Sequence, residues 1–386
     1  MTGAYVAGGA YVVGAAMIPM GRYPNASYAG LALRTVTDAL RDAGLPPARV
    51  QAAWCGHAFG GMLTGQRILS GVGIGGIPVV NVDNACSGGA TALHHAVRAV
   101  TSGEHEVVLV TGVDKLSQFG GGTLPLVTED HEVRLGLVMP ALYAMRARRY
   151  LHERDASRED LALVSVKARA HGARNPAAQL RKPVTVEQVL AARMIADPLT
   201  LFMCCPTGDG AASLVVVSER VRRELDGPAI RVAASVLHSG EADFGPRDML
   251  SPRISADSAR DAYAAAGCGP QDLDVVELHD AFSIAELVYY EALGLCAPGD
   301  GAKLIRTGAT SYGGRVVVNP SGGLLAKGHP VGASGAAQVA EIFWQLTGRA
   351  DGRQVPGARL ALSHVTGGGI AGLDHGACAV HIFEKA

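Results

Sequence analysis

Residues 39–59, ALRDAGLPPARVQAAWCGHAF, and residues 262–282, AYAAAGCGPQDLDVVELHDAF, follow one pattern. Each segment reads as the end of a helix, a turn with glycine and proline, and an apolar strand. Identical residues recur at one constant offset, namely Gly44 and Gly267, Pro47 and Pro270, Phe59 and Phe282. The shared order of helix, turn and strand indicates that the chain is an internal duplication.

The sequence after each repeated segment extends the duplication. A strand, a glycine-rich turn and a helix of small residues are predicted within 78–100 and again within 315–346. The runs VVLVTGV (107–113) and AASLVVVS (211–218) are continuously apolar, which is typical of central strands covered by helices on both faces. These patterns predict a layered α/β fold.

The boundaries of three units follow from the composition. Residues 116–205 are richer in arginine, histidine and proline and carry two amphipathic helical patterns, which indicates an inserted loop domain. The N-terminal half is then predicted to comprise residues 1–115 and 206–222, and the C-terminal half residues 223–386.

Composition excludes several classes of function. The 386 residues are 48% hydrophobic and 18% charged, as in well-buried globular proteins. The net charge of −1 gives no overall attraction to nucleic acid or to a membrane surface. Every apolar run near the N-terminus is broken before about 18 residues, so neither a signal peptide nor a membrane span is predicted. The 7 cysteines are scattered and lack CxxC spacing, which favours a reducing cytoplasm over a disulfide framework or a zinc site.

The turn around Cys86 carries the sharpest local signal. An extended stretch ends at Asn84-Ala85-Cys86-Ser87-Gly88, where a helix of small residues begins. Amides at a helix N-terminus stabilise a thiolate, and glycines after the cysteine let a bulky thioester approach the main chain. The turn alone does not separate this nucleophile from a buried structural cysteine.

Histidines at the ends of strands and at turns are the candidate bases. His329 lies between glycine and proline, so we expect it on a constrained loop at a helix start, with a neutral ring that can accept a thiol proton. His279, His57 and His364 each follow an apolar strand, where α/β folds place their chemistry. Each could instead be a hydrogen-bonded structural residue. The spacing of the histidines fits no metal-ligand pattern, and the sequence predicts no metal site.

Other eye-catching residues receive structural interpretations. Lys327 is interpreted as a solvated surface lysine in preference to a phosphate contact, and Cys204-Cys205 as a turn leading into a core strand in preference to a redox pair. Four basic residues of the inserted segment are interpreted as a solvated face, although they could also meet the phosphates of a long anionic cofactor: Arg169, Arg174, Arg181 and Lys182.

Taken in order, three motifs resemble the thiolase superfamily. NACSGGA (84–90) resembles the nucleophile block, HDAF (279–282) the Asn-Glu-Ala-Phe or His-Asp-Cys-Phe block, and NPSGG to GHPVGASG (319–335) the block with the activating histidine. The resemblance implies the five-layered α-β-α-β-α fold, built from two βαβαβαββ halves plus a loop domain. It also implies dimers or tetramers and coenzyme A thioester substrates, with no tightly bound cofactor.

The resemblance also implies roles for individual residues. Cys86 would be acylated by a thioester after His329 takes its proton. His329, with a water held by His279, would form one oxyanion hole, and the main-chain amides of Cys86 and Gly367 would form another.

One expected residue is absent. The family's second cysteine belongs at the position of Val365 or of Ala281, and Cys378 lies in a final strand pair instead. Relatives without that cysteine include the sterol-carrier-protein-2-like and archaeal-type acetoacetyl-coenzyme A thiolases and the phloroglucinol C-acetyltransferases. They often work with a small OB-fold, zinc-ribbon partner protein. His57 and His364 are the candidates for the missing base.

Several functions therefore remain open. The leading hypothesis is acyl transfer to carbon through Cys86, either in thiolase-type cleavage and condensation of a 3-oxoacyl-coenzyme A or in C-acylation of an activated acceptor. A thiolase-like retro-aldolase is the alternative, and a non-catalytic thiolase-like subunit or a ketosynthase is less favoured.

Overall fold

The computed structural model describes residues 4–6, 9–241, 248–369 and 375–386. The strands are β1 Ala4–Val6, β2 Ala10–Met17, β3 Ala52–Gly56, β4 Val79–Val82, β5 Val107–Lys115, β6 Met194–Ala196, β7 Leu199–Thr200, β8 Asp209–Ser218, β9 Ile230–Ser239, β10 Val275–Glu277, β11 Val317–Val318, β12 Leu360–Gly369 and β13 His375–Lys385. The α-helices are α1 Tyr28–Asp42, α2 Thr64–Ser70, α3 Gly88–Thr101, α4 His131–Arg134, α5 Met139–Glu153, α6 Arg158–Ala173, α7 Val186–Leu190, α8 Glu219–Arg222, α9 Arg253–Ala266, α10 Ser283–Ala292, α11 Gly301–Arg306, α12 Gly323–Ala326 and α13 Ser334–Thr347.

The two halves build the same arrangement of five strands. The first has the order β4-β3-β5-β8-β2 and the second β11-β10-β12-β13-β9. In each, the first two junctions are parallel and the last two antiparallel. The halves meet where β2 pairs with β9 through Tyr11 with Arg231 and Val12 with Ile230. The predicted duplication is confirmed.

The helices form layers around the two sets of strands. Helices α3 and α13 contact each other and strands of both halves, so they lie between the two sets of strands. Helices α1 and α2 cover the outer face of the first half, and α9 covers that of the second. This gives the predicted order α-β-α-β-α. Within the described part of the chain, no helix is long and apolar enough to span a bilayer.

The repeated turns are alike in backbone conformation. Gly44 ends α1 at φ +67° and Gly267 ends α9 at φ +70°, in the left-handed region that favours glycine at a helix end. A single 3₁₀ turn follows each glycine, at Pro47–Arg49 and at Pro270–Asp272. The chain then enters β3 or β10.

The segment between β5 and β8 contains α4 to α7 and the short pair β6 and β7. Its helix α6 packs on α10, α11 and α12, and Lys167 of α6 forms a fully buried ion pair with Glu286 of α10. The interpretation of a solvated basic face is wrong for Arg169, which is 8% exposed and donates to the main-chain oxygen of Lys182. Arg174 is exposed as expected and lies over the ring of Tyr312.

Candidate active site

Cys86 lies on a tight turn between β4 and α3. Ala85 has a left-handed φ of +47°, a conformation that costs a residue with a β-carbon about 1–2 kcal/mol. Side chains and main chain hold the turn: Asp83 accepts from the Ala85 amide at 3.0 Å, and the Ser87 amide donates to the Asn84 oxygen at 2.9 Å. The turn presents a partly exposed Cys86 just before α3.

The thiol is not the stabilised thiolate expected from the helix start. Burial raises the pKa of Cys86 to about 12, and it outweighs main-chain N–H groups of Gly368 and of Cys86 itself, which lower the pKa. The charges of Asp114 and Asp83 raise it further. The helix start favours the thiolate, but desolvation of the sulfur is the larger effect. Cys86 is therefore a protonated thiol that needs a base.

His329 lies in the loop between α12 and α13 and is 5% exposed. Its Nδ1 is 2.7 Å from the Oγ of Ser334, and that hydroxyl donates to the main-chain oxygen of Pro330 at 2.9 Å. Because the hydroxyl proton is already used, Ser334 accepts from Nδ1–H, and Nε2 carries the lone pair. Burial lowers the pKa of His329 to about 4, with Lys327 as a second cause, so the ring is a neutral base at physiological pH.

Three predicted residues come together at one point. The sulfur of Cys86 and ring nitrogens of His279 and His329 all lie within 4.8 Å of one another. The two rings meet edge to face, with centroids 5.1 Å apart and planes at 85°. His279 lies two residues after the end of β10, and Cys86 lies four residues after the end of β4. The carboxyl ends of these two strands and the loop before α13 therefore each supply one member of the cluster. The arrangement places a neutral base beside a thiol.

Buried polar side chains fix the loop that carries His329. Asp280 is fully buried and accepts from the amides of Leu324 and Leu325 at 2.7 and 3.4 Å, which caps the start of α12. Burial, helped by the charge of Glu286, raises the pKa of Asp280 to about 8. The interpretation of Lys327 as a surface lysine is wrong: it is fully buried and its Nζ lies 3.6 Å from Glu277, because the loop folds back over β10.

Asp114 joins the two halves beside the site. It lies within β5, is fully buried, and accepts from the amides of Ala58 and Phe59 at 3.0 Å each. It also accepts from the amide of Gly332, three residues after His329, at 2.6 Å. This carboxylate therefore holds the His329 loop against the turn that contains His57.

The other two predicted histidines lie outside the cluster. His364 is fully buried, its Nε2 is 2.9 Å from the Oγ of Ser255, and its ring packs on Tyr289 at 4.5 Å. His57 is 9% exposed, and neither ring nitrogen has a hydrogen-bond partner among the described residues. His364 thus resembles a structural histidine, whereas His57 keeps a ring available for proton transfer.

Gly367 on β12 packs directly on the turn that carries Cys86. A β-carbon there would lie 2.1 Å from the Asn84 oxygen and 2.9 Å from the Ser87 nitrogen, which the backbone could not accommodate without moving. The close approach brings the main chain of β12 alongside the sulfur of Cys86.

Gly367→Ala is therefore expected to displace the turn, to destabilise the fold by about 1–3 kcal/mol, and to slow any acylation of Cys86. Denaturant unfolding and the acylation rate would measure both effects. Gly75→Ala is the matched control, since a β-carbon at this exposed glycine meets nothing within 4 Å. A Gly367→Ala protein with unchanged stability and unchanged acylation would contradict the expectation.

Cys205 is a neighbour that sequence reasoning missed. Its amide donates to the oxygen of Ala281 at 2.9 Å, and Cys204 pairs with Phe282 as an isolated bridge, so this segment runs along the His279 block. The thiol of Cys204 donates to the oxygen of Thr200. Burial raises the pKa of Cys205 well above its usual range, and the charges of Cys204 and Cys86 add to the effect.

Weak signals for the missed residues were present in the sequence. Asp114 ends a continuously apolar strand, where a carboxylate is conspicuous. Ser334 follows His329 by five residues, at the start of a small-residue helix. The Cys204-Cys205 doublet was conspicuous in the sequence, but only the fold brings Cys205 beside Ala281.

The two halves match known family models. Residues 10–220 match "Thiolase, N-terminal domain" and residues 238–376 match "Thiolase C-terminal domain-like". The benzoylsuccinyl-CoA thiolase subunit BbsB of Thauera aromatica is 42% identical over 93% of this chain and 94% of its own length. The acetyl-CoA acetyltransferase of Methanothermobacter thermautotrophicus is 37% identical over 97% of this chain and 99% of its own. The solved Ltp2-ChsH2(DUF35) aldolase superposes with a TM-score of 0.86 at 26% identity, covering 98% of both chains.

Proposed function

Since this chain belongs to the thiolase family, we propose that it transfers acyl groups from coenzyme A thioesters to a carbon acceptor, or the reverse, through an acyl-enzyme on Cys86. The observation that supports the proposal most directly is the convergence of Cys86, His279 and His329 within 4.8 Å. The orientation of His329 by Ser334 adds to it, because a base needs its lone pair on the side of the thiol.

The first half-reaction follows from the protonation states. Nε2 of His329 accepts the proton of the Cys86 thiol as the sulfur attacks the thioester carbonyl carbon. The bond from that carbon to the coenzyme A sulfur then breaks, and the imidazolium returns the proton to the leaving thiolate. The site offers two oxyanion holes. Main-chain N–H groups of Cys86 and Gly367 form one, and His329 with a water on His279 forms the other.

Mass spectrometry tests this half-reaction. Protein incubated with acetyl-coenzyme A and other short acyl donors is expected to carry an acyl group on the peptide that contains Cys86. The remaining cysteines should stay unmodified, including the partly exposed Cys205 and Cys296. Absence of an adduct with every donor would refute the proposal.

The second half-reaction needs a group that exchanges a proton with the acceptor carbon. We propose Cys205 for this step in preference to His57 or His364. Its segment pairs with the block at Ala281, and it lies close enough to Cys86 for the two charges to interact. Its raised pKa keeps the thiol protonated, so in cleavage it donates a proton to the departing carbon.

Cys205→Ser is expected to slow the exchange of acetyl-coenzyme A methyl protons with deuterated water by about 100-fold or more, because the proton-transfer group is lost. NMR or mass spectrometry measures the exchange, and the adduct on Cys86 should still form. His364→Gln is the comparison, since that ring is engaged by Ser255. If His57→Gln abolishes the exchange while Cys205→Ser leaves it intact, His57 is the proton-transfer group instead.

A retro-aldolase is the second candidate, favoured by the aldolase structure at a TM-score of 0.86. The name of that aldolase joins two proteins, Ltp2 and ChsH2, and the Thauera aromatica relative is named as a subunit. We infer from these names that a second protein accompanies this chain, in addition to self-association. The test is to purify this chain from its native host with a tag on this chain alone. A second protein is expected to co-purify, and a chain that purifies alone with full activity would contradict the inference.

A further inference from the structure

We infer that Cys86, His279 and His329 also form a site for a soft divalent cation of the Zn²⁺ type, and that the bound cation blocks the thiol. Within the described residues, this is the one group of three or more cysteine, histidine or carboxylate side chains whose ligand atoms converge closely enough to hold a metal. One thiol and two imidazoles are ligands that Zn²⁺ prefers.

The distances require only side-chain adjustment. Tetrahedral Zn²⁺ with bonds of about 2.0–2.3 Å holds its ligand atoms about 3.3–3.8 Å apart. The three ligand atoms already lie within 4.8 Å of one another, so rotations that bring them closer by roughly 1 Å complete the geometry. Three protein ligands leave a fourth position for water or an incoming ligand.

The orientation of His329 also suits a metal. Ser334 holds Nδ1–H, so the lone pair of Nε2 is the one available for coordination. Hydrogen bonds of this kind from the second ring nitrogen accompany metal-binding histidines generally, because they fix the tautomer and the ring orientation.

The charges around the site favour a cation at the sulfur. The carboxylates of Asp83 and Asp114 act on Cys86; the charge of Lys327, which acts on His329, opposes a cation, and Glu277 at 3.6 Å offsets part of it. A neutral imidazole loses no proton when its lone pair binds a cation. The thiol does lose one: the cation and the thiol give a metal thiolate and a released proton.

Binding and inhibition follow from one event. Coordination takes the sulfur lone pair that would attack a thioester, and it takes the Nε2 lone pair that would accept the thiol proton. Binding is independent of the proposed function, whereas inhibition rests on it.

Cobalt titration of the chelator-treated protein tests the binding. One Co²⁺ per chain is expected, with a thiolate-to-cobalt charge-transfer band that Zn²⁺ displaces. Cys86→Ala should abolish the band, and Ser334→Ala should weaken affinity by about tenfold. Cys204→Ser is the matched control and should keep the band. A missing band, a band that survives Cys86→Ala, or one lost in Cys204→Ser would overturn the inference.

Alkylation supplies a readout that needs no catalysis. Zn²⁺ is expected to protect Cys86 from iodoacetamide, and a chelator should restore its reactivity; unprotected alkylation would count against the site. Acyl adduct formation on chelated protein separates the two proposals. Metal binding without an acyl adduct would refute the proposed function and support the metal site. An acyl adduct without metal binding would support the proposed function and refute the metal site.

Discussion

Cys86→Ala is expected to lower acyl transfer by about 10⁴-fold or more, because no other group can then carry the acyl chain. The variant should keep the fold, because the substitution removes one sulfur atom from a turn that the Asp83 carboxylate and main-chain hydrogen bonds hold. Steady-state thiolysis of a 3-oxoacyl-coenzyme A measures the loss, and thermal unfolding reports the integrity of the fold.

Cys296→Ala provides the matched control, because this partly exposed cysteine follows α10 and is outside the cluster of Cys86, His279 and His329. It should retain wild-type turnover. If Cys86→Ala keeps most of the activity towards any acyl-coenzyme A, covalent acyl transfer is excluded. The retro-aldolase alternative would then become the better hypothesis, because such cleavage needs no acyl-enzyme.

The fold could be predicted because the signals that specify it are local. Glycine ends α1 and α9 in the same left-handed conformation, so the repeated turn was visible as a repeated residue pattern. The apolar runs of β5 and β8 likewise predicted central strands, and each of the two pairs with a strand on either side. The number of strands in each half, and the contact of β2 with β9, depend on long-range pairing that no local pattern contains.

The candidate site was predictable in its residue types but not in its electrostatics. Strand ends and constrained turns indicated Cys86, His279 and His329 as candidates. Their spacing along the sequence does not show that they come together in the fold. The thiol pKa was expected to fall because a helix start is nearby, but the cost of burying the sulfur is larger and raises it. Lys327 was assigned to the surface because lysine is usually exposed. Its burial comes from the packing of the loop, which the sequence does not show.

The protonation states of Cys86 and His329 lead to a prediction about pH. Burial lowers the pKa of His329 to about 4 and raises that of Cys86 to about 12, so neutral base and neutral thiol coexist between these values. Acylation by the wild-type protein should therefore be nearly independent of pH from about pH 5 to 9, and should fall only as His329 gains a proton near pH 4. A base with the ordinary histidine pKa would already lose activity below about pH 6.5.

His329→Ala should lower the acylation rate at neutral pH by about 10²–10⁴-fold, because the thiol then has no base. Only the small thiolate fraction can react, so the remaining rate should rise about tenfold per pH unit up to the thiol pKa. Rapid-quench mass spectrometry of the Cys86 adduct from pH 4 to 10 measures both features. His105→Ala, beyond the opposite end of α3, should keep the wild-type rate and profile. A flat profile in His329→Ala would assign the proton transfer to another group, of which His279 is the nearest by its position in the cluster.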